Sequence, residues 1–526
     1  GFGEIPGVIE KLFYLQELRV DYLWLTPFFP SPQRDNGYDV ADYRAVNPQF
    51  GTMEDLETLI CQSKERGMGI MLDMVFNHTS TQHEWFQKAL AGDETYQKYY
   101  IFKEGTPDHA PTNWQSKFGG PAWEYVPDLK KWYLHLFDVT QADLNWDNPK
   151  VRQELIEILR FWKEKGIRSF RFDVINLVSK PQQMEDDFQG DGRRFYSDGP
   201  HIHEYLKDLV SGAGIEDFVT VGEMSSTSLA HCIRYSAPKE KELSMCFNFH
   251  HLKVDYKDGD KWALKPVDYQ ALKALFTEWQ MGMQAGDGWN ALFWCNHDQP
   301  RIVSRMGDEG IYWKASAKML AGMIHLMRGT PYIYQGEEIG MLNAHFPSIE
   351  QYRDVESLNY YQILLEEGKS REEALAILAA RSRDNSRTPM QWNGEQYGGF
   401  SEKEPWILMS AAFREEITVE AQQKAEDSIL AFYKTLIAMR KKYPVIAKGE
   451  ISFLATETDK VFAYQRTLGE QKLVVFCNLD GKKQNIKMAK AWGGYRILLE
   501  NYQGGKMPGE EMCVMEPYEI MVLGNI

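Results

Sequence analysis

Short apolar runs alternate with amphipathic stretches along most of the chain. Runs such as DYLWLTPFF (21–29) have the length of a strand, whereas ELIEILRFWKEKG (154–166) repeats apolar residues at intervals of three and four, which is typical of a helix. Strands that alternate with helices favour a parallel sheet covered by helices. The pattern predicts seven strands, at 21–29, 69–78, 169–176, 218–225, 243–250, 290–298 and 330–338.

A closed (β/α)8 TIM barrel is the α/β fold that this order favours, although such a barrel has eight strands. The stretch 7–18 has the pattern of a helix that would follow a first strand. We therefore predict that the first barrel strand is missing from this chain and lies upstream of Gly1. The barrel is expected to comprise residues 1–78 and 144–427, with a long excursion at about 341–420.

Two further regions depart from the βα pattern. Residues 79–143 are rich in Trp, Tyr, Gly and Pro, which indicates a subdomain inserted in a barrel loop. Residues 428–526 begin with an amphipathic helix and continue as short strands such as KLVVFCNL. This change of period predicts a C-terminal all-β sandwich domain.

Composition narrows the class of partner. The chain has 75 acidic and 59 basic residues, a net charge of −16, which argues against nucleic acid or an acidic membrane surface. No apolar stretch is long enough to cross a bilayer. The six scattered cysteines lack metal-type or redox-type spacing, so free thiols in a reducing cytoplasm are expected. We expect a monomer or weak oligomer that acts on a small molecule.

Polar residues end several of the predicted strands. They are Asp73, Asn77 and His78 on one strand, Arg171 and Asp173 on the next, Glu223 on another, and His297 with Asp298 on a fourth. A polar group buried without a partner costs roughly 2–7 kcal/mol. Because the carboxyl ends of barrel strands share one mouth, these side chains are predicted to satisfy one another at a single site.

Three of these residues, Asp173, Glu223 and Asp298, fit the cleavage of a glycosidic bond. A retaining glycosidase needs a carboxylate nucleophile and a protonated acid about 5–5.5 Å apart. Arg171 lies two residues before Asp173, on the same face of its strand, and is expected to lower the pKa of that carboxyl and keep the nucleophile ionised. Glu223, in a more apolar setting, is the expected acid/base. Asp298 would stabilise developing positive charge.

Five segments, DMVFNH, FRFDVIN, VGEMS, WCNHD and QADLNW, resemble the signature segments of the α-amylase superfamily of retaining glycoside hydrolases. The resemblance covers essentially the whole chain. It implies a catalytic (β/α)8 barrel, a domain B in the loop after the third strand and a β-sandwich domain C. It also implies Asp173 as nucleophile, Glu223 as acid/base and Asp298 as transition-state stabiliser, in agreement with the roles argued from their surroundings.

The segments NGYDVADY (36–43) and SRDNSRTPMQW (382–392) resemble the exo-acting α-glucosidase branch of this superfamily. In that branch an aspartate and an arginine clamp the terminal sugar, and the resemblance implies Asp39 and Arg387, with Arg383 as an alternative. Such a pocket removes terminal units only. The other expected sugar contacts are Tyr38, His78, Arg171, His297 and Phe249, with Trp114, Trp123 and Trp289 as further aromatic candidates.

The segments GDGRRFYSDGP, GEMSSTS and FNFHHLKVDY resemble branch members that act on a phosphorylated disaccharide. A phosphate bound by an acidic protein needs fixed cations. The candidates are Lys253, Lys261, Lys265, Arg193 and Arg194. A neutral-substrate α-1,6-glucosidase, a transglycosidase or isomerase, and a non-catalytic barrel subunit remain alternatives, although the last conflicts with the complete set of three acids.

No cofactor is expected to be required. Calcium is possible, but the loop that holds it in the family follows the first strand, which is not in this chain. The segment DFQGDGRRFYSD (187–198) resembles an EF-hand loop through Asp187, Asp191, Gly192 and Asp198. Its paired arginines and Gln189 weaken that interpretation, so no metal ligand is predicted.

Overall fold

The computed structural model describes residues 1–502 and 512–526. Seven parallel strands follow one another in sequence order around the barrel: Tyr22–Leu25, Gly69–Met74, Ser169–Phe172, Val219–Glu223, Met245–Phe247, Ala291–Leu292 and Thr330–Pro331. A parallel bridge between Cys246 and Asn290 joins the fifth strand to the sixth. Each strand lies inside a predicted run, and the described residues contain no eighth parallel barrel strand.

The strands are shorter than predicted because the backbone at their polar ends is no longer paired with the neighbouring strand. The run 290–298 keeps only Ala291–Leu292 as a strand, so His297 and Asp298 lie in the loop beyond it. Asp73 and Arg171 are paired across neighbouring strands and therefore share one face of the sheet. Gly222 pairs with Cys246, and a Cβ at Gly222 would lie 2.5 Å from side-chain atoms of Leu243 and Met224. Glycine thus permits the close packing just before Glu223.

Helices cover the outside of the sheet. The main ones are Met53–Glu65, Pro149–Glu164, Ile202–Ala213, Leu229–Ser236, Tyr269–Ala285, Trp313–His325 and Ile429–Lys442. Their starts follow local rules: Thr52 forms a capping box with Asp55, and Asn148 caps a helix that has proline at its first position. The predicted helix at 7–18 is instead two helices, Ile5–Glu10 and Leu12–Leu18.

The chain between the second and third barrel strands forms an inserted region. This region leaves the barrel and returns to it at a short antiparallel ladder between His78–Ser80 and Gln141–Asp143. Within it lie helices Glu84–Leu90 and Glu94–Gln97 and an antiparallel sheet of Phe102–Glu104, Trp123–Val126 and Lys131–Leu134. Trp114 and Trp123 are each 1% exposed and form the core of this inserted region. Neither ring is available to a sugar.

Shorter elements complete the barrel loops. They are helices Arg193–Tyr196, Ile302–Met306, Val355–Glu366, Arg371–Arg381, Asp384–Arg387, Val419–Lys424 and Pro444–Lys448, and a hairpin of Tyr256–Lys257 with Asp260–Leu264. Single 3-10 turns occupy Ile175–Leu177, Pro238–Glu240, His250–Leu252, Glu337–Ile339, Ile349–Gln351, Gln396–Gly399 and Lys490–Trp492.

The C-terminal region is built from antiparallel strands. One sheet contains Glu450–Phe453, Val461–Leu468, Gln471–Asn478, Ile520–Gly524 and Arg496–Glu500 in spatial order, and a second pairs Gln484–Lys487 with Met512–Met515. Ile486 and Met515 of the small sheet pack with Phe476 and Met521 of the large one. Alternating apolar residues thus make a two-layer core. None of the helices in the described ranges combines the length and apolarity of a membrane span.

Candidate active site

Arg171 lies at the base of the pocket and binds carboxyl groups from three strands. The residue is fully buried. Its Nη1 donates to Asp73 Oδ1 at 2.7 Å and to Asp173 Oδ1 at 2.6 Å. Its other terminal nitrogen, Nη2, contacts the carboxylate of Glu223. One guanidinium therefore brings together the two residues that the sequence assigned as nucleophile and acid/base.

This shared guanidinium fixes the spacing of Asp173 and Glu223. The two carboxyl groups meet neighbouring nitrogens of the same planar group, in the fork geometry that arginine provides. Such an arrangement is compatible with the separation of about 5–5.5 Å found in retaining enzymes.

Burial and Arg171 have opposite effects on the pKa of Asp173. Burial raises the pKa of this carboxyl, Arg171 lowers it, and the charge of Asp298 raises it again, so that the pKa lies above its ordinary value. Burial likewise raises the pKa of Asp73 against the effect of Arg171. Arg171 thus lowers the pKa of Asp173 as expected, but one positive charge shared by three buried carboxyls does not offset their loss of water.

Asp298 has a different environment. Its carboxylate binds Arg387 at 2.9 Å, Arg383 at 3.3 Å and His297 Nε2 at 3.2 Å. Burial opposes its ionisation, but His297 and the two guanidinium groups outweigh burial and hold the pKa of Asp298 well below its usual range. Asp298 is thus the carboxyl best suited to remain charged beside a developing cation.

The arginine of the segment 382–392 that pairs with the segment 35–39 meets a different aspartate from the predicted one. Arg383 Nη2 binds Asp35 Oδ1 at 2.9 Å and Asp354 Oδ1 at 2.6 Å. Asp39 is fully buried and accepts hydrogen bonds from Ser31 Oγ and from the backbone N–H groups of Arg34 and Asp35. Asp39 and Arg387 are therefore not paired with each other, and Asp39 instead shapes the loop that presents Asp35.

Tyr38, His297 and His78 line the same end of the pocket. The Tyr38 ring stacks on the His297 ring at a centroid distance of 5.0 Å, and its hydroxyl donates to Asp73 at 2.8 Å. Both ring nitrogens of His78 already have protein partners, Asn77 Nδ2 and the carbonyl of Tyr38, each at 3.1 Å. Burial lowers the pKa of His78 to about 4, so the ring is neutral at pH 7.

Three cations gather on the side of Glu223. Lys117 Nζ donates to Ser225 Oγ at 3.2 Å, two residues beyond the acid/base. Burial lowers the pKa of Lys117 to about 7, with further lowering from Arg193 and Lys253. Burial, with a smaller contribution from Arg193, also lowers the pKa of the half-buried Lys253. Like charges disfavour one another's ionised form, so these three cations share one electrostatic environment.

The other predicted cations lie apart from this group. Lys261 Nζ is paired with Glu356 at 2.6 Å, Arg194 is paired with Asp187 at 3.0 Å, and Lys265 is exposed on the hairpin.

Phe249 packs edge-on against Phe293 with ring centroids 5.4 Å apart. Trp289 precedes the strand Ala291–Leu292 and lies beneath Arg328, so it is at the end of the barrel remote from the acids.

Two aspartates of the segment that resembles an EF-hand have donors within the protein. Asp187 accepts the backbone N–H groups of Gln189 and Gly192 in addition to Arg194. Asp198 accepts from Asn176 Nδ2 at 3.0 Å and from the hydroxyl of Tyr235 at 2.6 Å. In the part of the chain that the structure describes, no group of three or more metal-ligating side chains is arranged around a common point.

Sequence reasoning did not name Lys117, Asp35 and Asp354, which the structure places in contact with Ser225 or Arg383. Asp35 directly precedes NGYD, so the same segment offered two aspartates, and spacing alone could not distinguish them. Lys117 is a single basic residue in the aromatic stretch NWQSKFGG. Because it is distant in sequence from the other cations, the sequence did not indicate that it belongs with them. Asp354 lies in the excursion between the seventh barrel strand and the C-terminal region.

Comparison with known proteins places the chain in a family. Residues 1–449 match the alpha amylase catalytic domain. The chain is 51% identical over 507 residues to a trehalose-6-phosphate hydrolase of Escherichia coli, covering 96% of this chain and 91% of the relative. It is 42% identical over 532 residues to an oligo-1,6-glucosidase of Bacillus cereus, covering 99% and 95% respectively.

A solved structure agrees with these matches. The crystal structure of a Bacillus licheniformis trehalose-6-phosphate hydrolase has a TM-score of 0.93 and 49% identity, and the match covers 99% of this chain and 95% of that chain. The predicted α/β barrel with a C-terminal all-β domain is thereby confirmed. The chain belongs to the α-amylase family of glycoside hydrolases.

Proposed function

We propose that this protein is a retaining α-glucosidase that hydrolyses trehalose 6-phosphate to glucose and glucose 6-phosphate. The observation that carries the proposal is the group of cations beside Glu223, on the side from which a leaving group departs. A phosphate on that leaving group would meet these charges. Relatives named trehalose-6-phosphate hydrolase, about half identical to this chain over nearly its full length, support the same substrate.

The first chemical step requires the pair held by Arg171. Asp173 attacks the anomeric carbon of the terminal glucose while Glu223 donates its proton to the glycosidic oxygen. The bond to the leaving sugar breaks, glucose 6-phosphate departs, and a glucosyl ester forms on Asp173. Asp298, held ionised by Arg383 and Arg387, stabilises the positive charge that develops on the ring.

The second step reverses these roles. Glu223, now ionised, removes a proton from water, which attacks the same carbon and releases Asp173. Two inversions retain the α configuration. The Asp35–Arg383 pair lies beside Asp298 and would bind the hydroxyls of the terminal sugar, so that only a chain end enters.

A parallel assay on trehalose 6-phosphate, trehalose and isomaltose tests the proposal. We expect kcat/KM for trehalose 6-phosphate to exceed that for the two neutral sugars by at least about 10²-fold, since charge-assisted hydrogen bonds to the phosphate are absent in both. Proton NMR of the first glucose released should show the α anomer. Equal rates on trehalose and its phosphate, or release of the β anomer, would contradict the proposal.

A neutral α-1,6-glucosidase is the second candidate, and the B. cereus relative gives it support. That activity requires the same three carboxyl residues and the same Asp35–Arg383 pair. A neutral leaving group carries no negative charge for the cations near Ser225 to bind. Transfer or isomerisation would use the same first step. The substrate panel separates hydrolysis of isomaltose from the proposed reaction, and analysis of products other than glucose detects transfer.

We also propose that the protein acts in the cytoplasm as a monomer or weak oligomer. The six cysteines are all free, and five of them are buried, which fits a reducing compartment. Size-exclusion chromatography with light scattering at two protein concentrations tests the oligomeric state. A stable tetramer would contradict it.

A further inference from the structure

One segment of the inserted region, residues 114–120, reaches both ends of the pocket. Lys117 donates to Ser225 beyond the acid/base. The ring of the next residue, Phe118, lies beneath the guanidinium of Arg383 at 4.7 Å, and Arg383 belongs to the clamp for the terminal sugar. The segment therefore contacts both the chain just beyond Glu223 and the arginine that pairs with Asp35.

Backbone hydrogen bonds hold this segment against the loop that carries Arg193. The N–H of Gln115 donates to the carbonyl of Asp191 at 3.1 Å, and the N–H of Lys117 donates to the carbonyl of Leu136 at 2.8 Å. A Cβ at Gly192 would lie 2.5 Å from the ring of Trp114, so the loop approaches as closely as only glycine allows. The proximity of Lys117 and Arg193 is therefore a property of the fold.

The charges in this group are not balanced inside the protein. Arg193 is paired with Asp191 at 2.6 Å. In residues 1–502 and 512–526, Lys117 and Lys253 form no ion pair with a carboxylate. Two half-buried ammonium groups without counterions are costly, and an anionic ligand would remove that cost.

The position of Lys117 is also fixed relative to the reaction centre. Asn176, three residues after Asp173, accepts a hydrogen bond from the N–H of Ser225 at 2.8 Å and donates to its carbonyl at 2.7 Å. Asn176 thus ties the chain beyond Glu223 to the chain beyond Asp173. A group bound by Lys117 next to Ser225 is held at a constant distance from both.

We propose that Lys117 is a specificity-determining residue that binds the phosphate of the leaving sugar together with Lys253. The proposal rests on the function proposed above and names the residue that selects the phosphorylated substrate. On substrate binding, the Lys117 ammonium donates to phosphate oxygens, either in place of the Ser225 hydroxyl or in addition to it. This contact holds the leaving sugar so that the glycosidic oxygen lies beside Glu223. Charge-assisted contacts of this kind raise affinity and orient the substrate.

Steady-state kinetics of Lys117→Met, Lys117→Arg and Lys257→Met test the role. Methionine keeps the length of the apolar stem but not the charge, arginine keeps the charge, and Lys257 is an exposed lysine on the neighbouring hairpin that serves as matched control. For Lys117→Met we expect KM for trehalose 6-phosphate to rise about 10- to 100-fold, while kcat/KM for an aryl α-glucoside changes less than about twofold. Lys117→Arg should retain most of the affinity, and Lys257→Met should match the wild type.

Inhibition of aryl α-glucoside hydrolysis gives a second measurement. Glucose 6-phosphate should inhibit the wild type far more strongly than glucose does, and Lys117→Met should reduce this difference by a similar factor. Equal loss on both substrates, or an unchanged inhibition constant for glucose 6-phosphate, would overturn the role of Lys117. A wild-type protein that does not cleave trehalose 6-phosphate would instead overturn the proposed function, so the two failures are distinguishable.

Discussion

Arg171 serves three carboxyl groups in a pocket where charge is costly. Asp73, Asp173 and Glu223 all contact its two terminal nitrogens, and all four side chains are buried. Burial raises the pKa of Asp73 and of Asp173 above the ordinary value although Arg171 lowers both, so a single positive charge does not offset the cost of burying these carboxylates.

The two aspartates of the segment 35–39 provide a matched pair of variants. We expect Asp35→Asn to lower kcat/KM about 10²-fold on both trehalose 6-phosphate and an aryl α-glucoside, because Arg383 loses the partner that orients it toward the terminal sugar. Asp39→Asn should leave kcat/KM of the folded enzyme nearly unchanged and lower the free energy of unfolding by about 1–3 kcal/mol, because Asp39 accepts two backbone N–H groups.

Kinetics on the two substrates and urea denaturation of both variants make the comparison. A catalytic defect in Asp39→Asn with normal stability would restore the assignment made from the sequence. Loss of activity on the phosphorylated substrate alone in Asp35→Asn would place Asp35 on the leaving-group side instead.

Sequence reasoning identified Asp173, Glu223 and Asp298 because each follows a recognisable strand. It missed Asp35 and Lys117 because their importance comes from partners more than 70 residues away in sequence, Arg383 and Arg193 respectively. It anticipated the lowering effect of Arg171 on the pKa of Asp173 but not the larger raising effect of burial, since the sequence shows the neighbouring arginine but not the depth of burial. The catalytic roles of these residues stay predictions until variants are measured.

Among the structural elements, the strand Val461–Leu468 joins the C-terminal sheet to the barrel through one buried cation. Arg466 is fully buried and donates to the carbonyls of Leu326, Ile446, Gly449 and Glu450. Leu326 directly follows the barrel helix Trp313–His325, and Ile446 belongs to the short helix Pro444–Lys448. Burial lowers the pKa of Arg466 to about 10, which still leaves the side chain charged at neutral pH.

We expect Arg466→Met to lower the free energy of unfolding by at least about 3 kcal/mol, because each buried carbonyl that loses its donor costs roughly 1–3 kcal/mol. Urea denaturation of the variant measures this loss. The control is Arg496→Met, which removes an exposed arginine from another strand of the same sheet. Similar unfolding curves for the two variants would show that the four carbonyls find other donors.

The elements themselves were predicted with unequal success. The seven barrel strands were found because continuous apolar runs are required of strands covered on both faces. The predicted strand ends were too long, since a run such as 290–298 continues its apolar character after the backbone has left the sheet. The break at Lys11 between the first two helices had no signal as strong as proline or glycine at that position.

The stability of the whole molecule should depend on pH through its buried histidines. Burial lowers the pKa of His325 from 6.5 to about 3, with a smaller effect of Arg440, and its ring packs edge-on against Tyr433. Because the folded pKa lies below the unfolded one, the unfolded chain binds more protons as the pH falls below about 6.5. The stability that neutral His325 contributes is therefore present above that pH and is lost on acidification.

As the pH falls from 7.5 to 5, we expect His325→Phe to become more stable relative to the wild type by about 2 kcal/mol. The reason is that His325 of the unfolded wild type gains a proton over the roughly 1.5 pH units below its unfolded pKa, whereas phenylalanine does not. Urea denaturation at several pH values measures the difference. His109→Phe, at an exposed site, is the control and should show no such trend. A constant difference between His325→Phe and the wild type would mean that His325 is solvated.

The division of the chain into barrel, inserted region and sandwich stays a prediction about domain boundaries, although the observed elements follow the changes of period in the sequence. Hydrophobic patterning is a local property and reports such changes directly. The contact between the segment 114–120 and the loop 187–198 could not be predicted in this way, because it depends on Gly192 fitting against Trp114 across the domain junction.

The segment 114–120 has a consequence for how such enzymes diverge. The groups that break the bond lie at the ends of barrel strands, whereas Lys117 and Lys253 lie in loops. A descendant can therefore lose a preference for a phosphate by replacing these two half-buried loop lysines while its chemistry is inherited intact. The same separation offers a route to enzymes for new leaving groups by exchanging this one short segment.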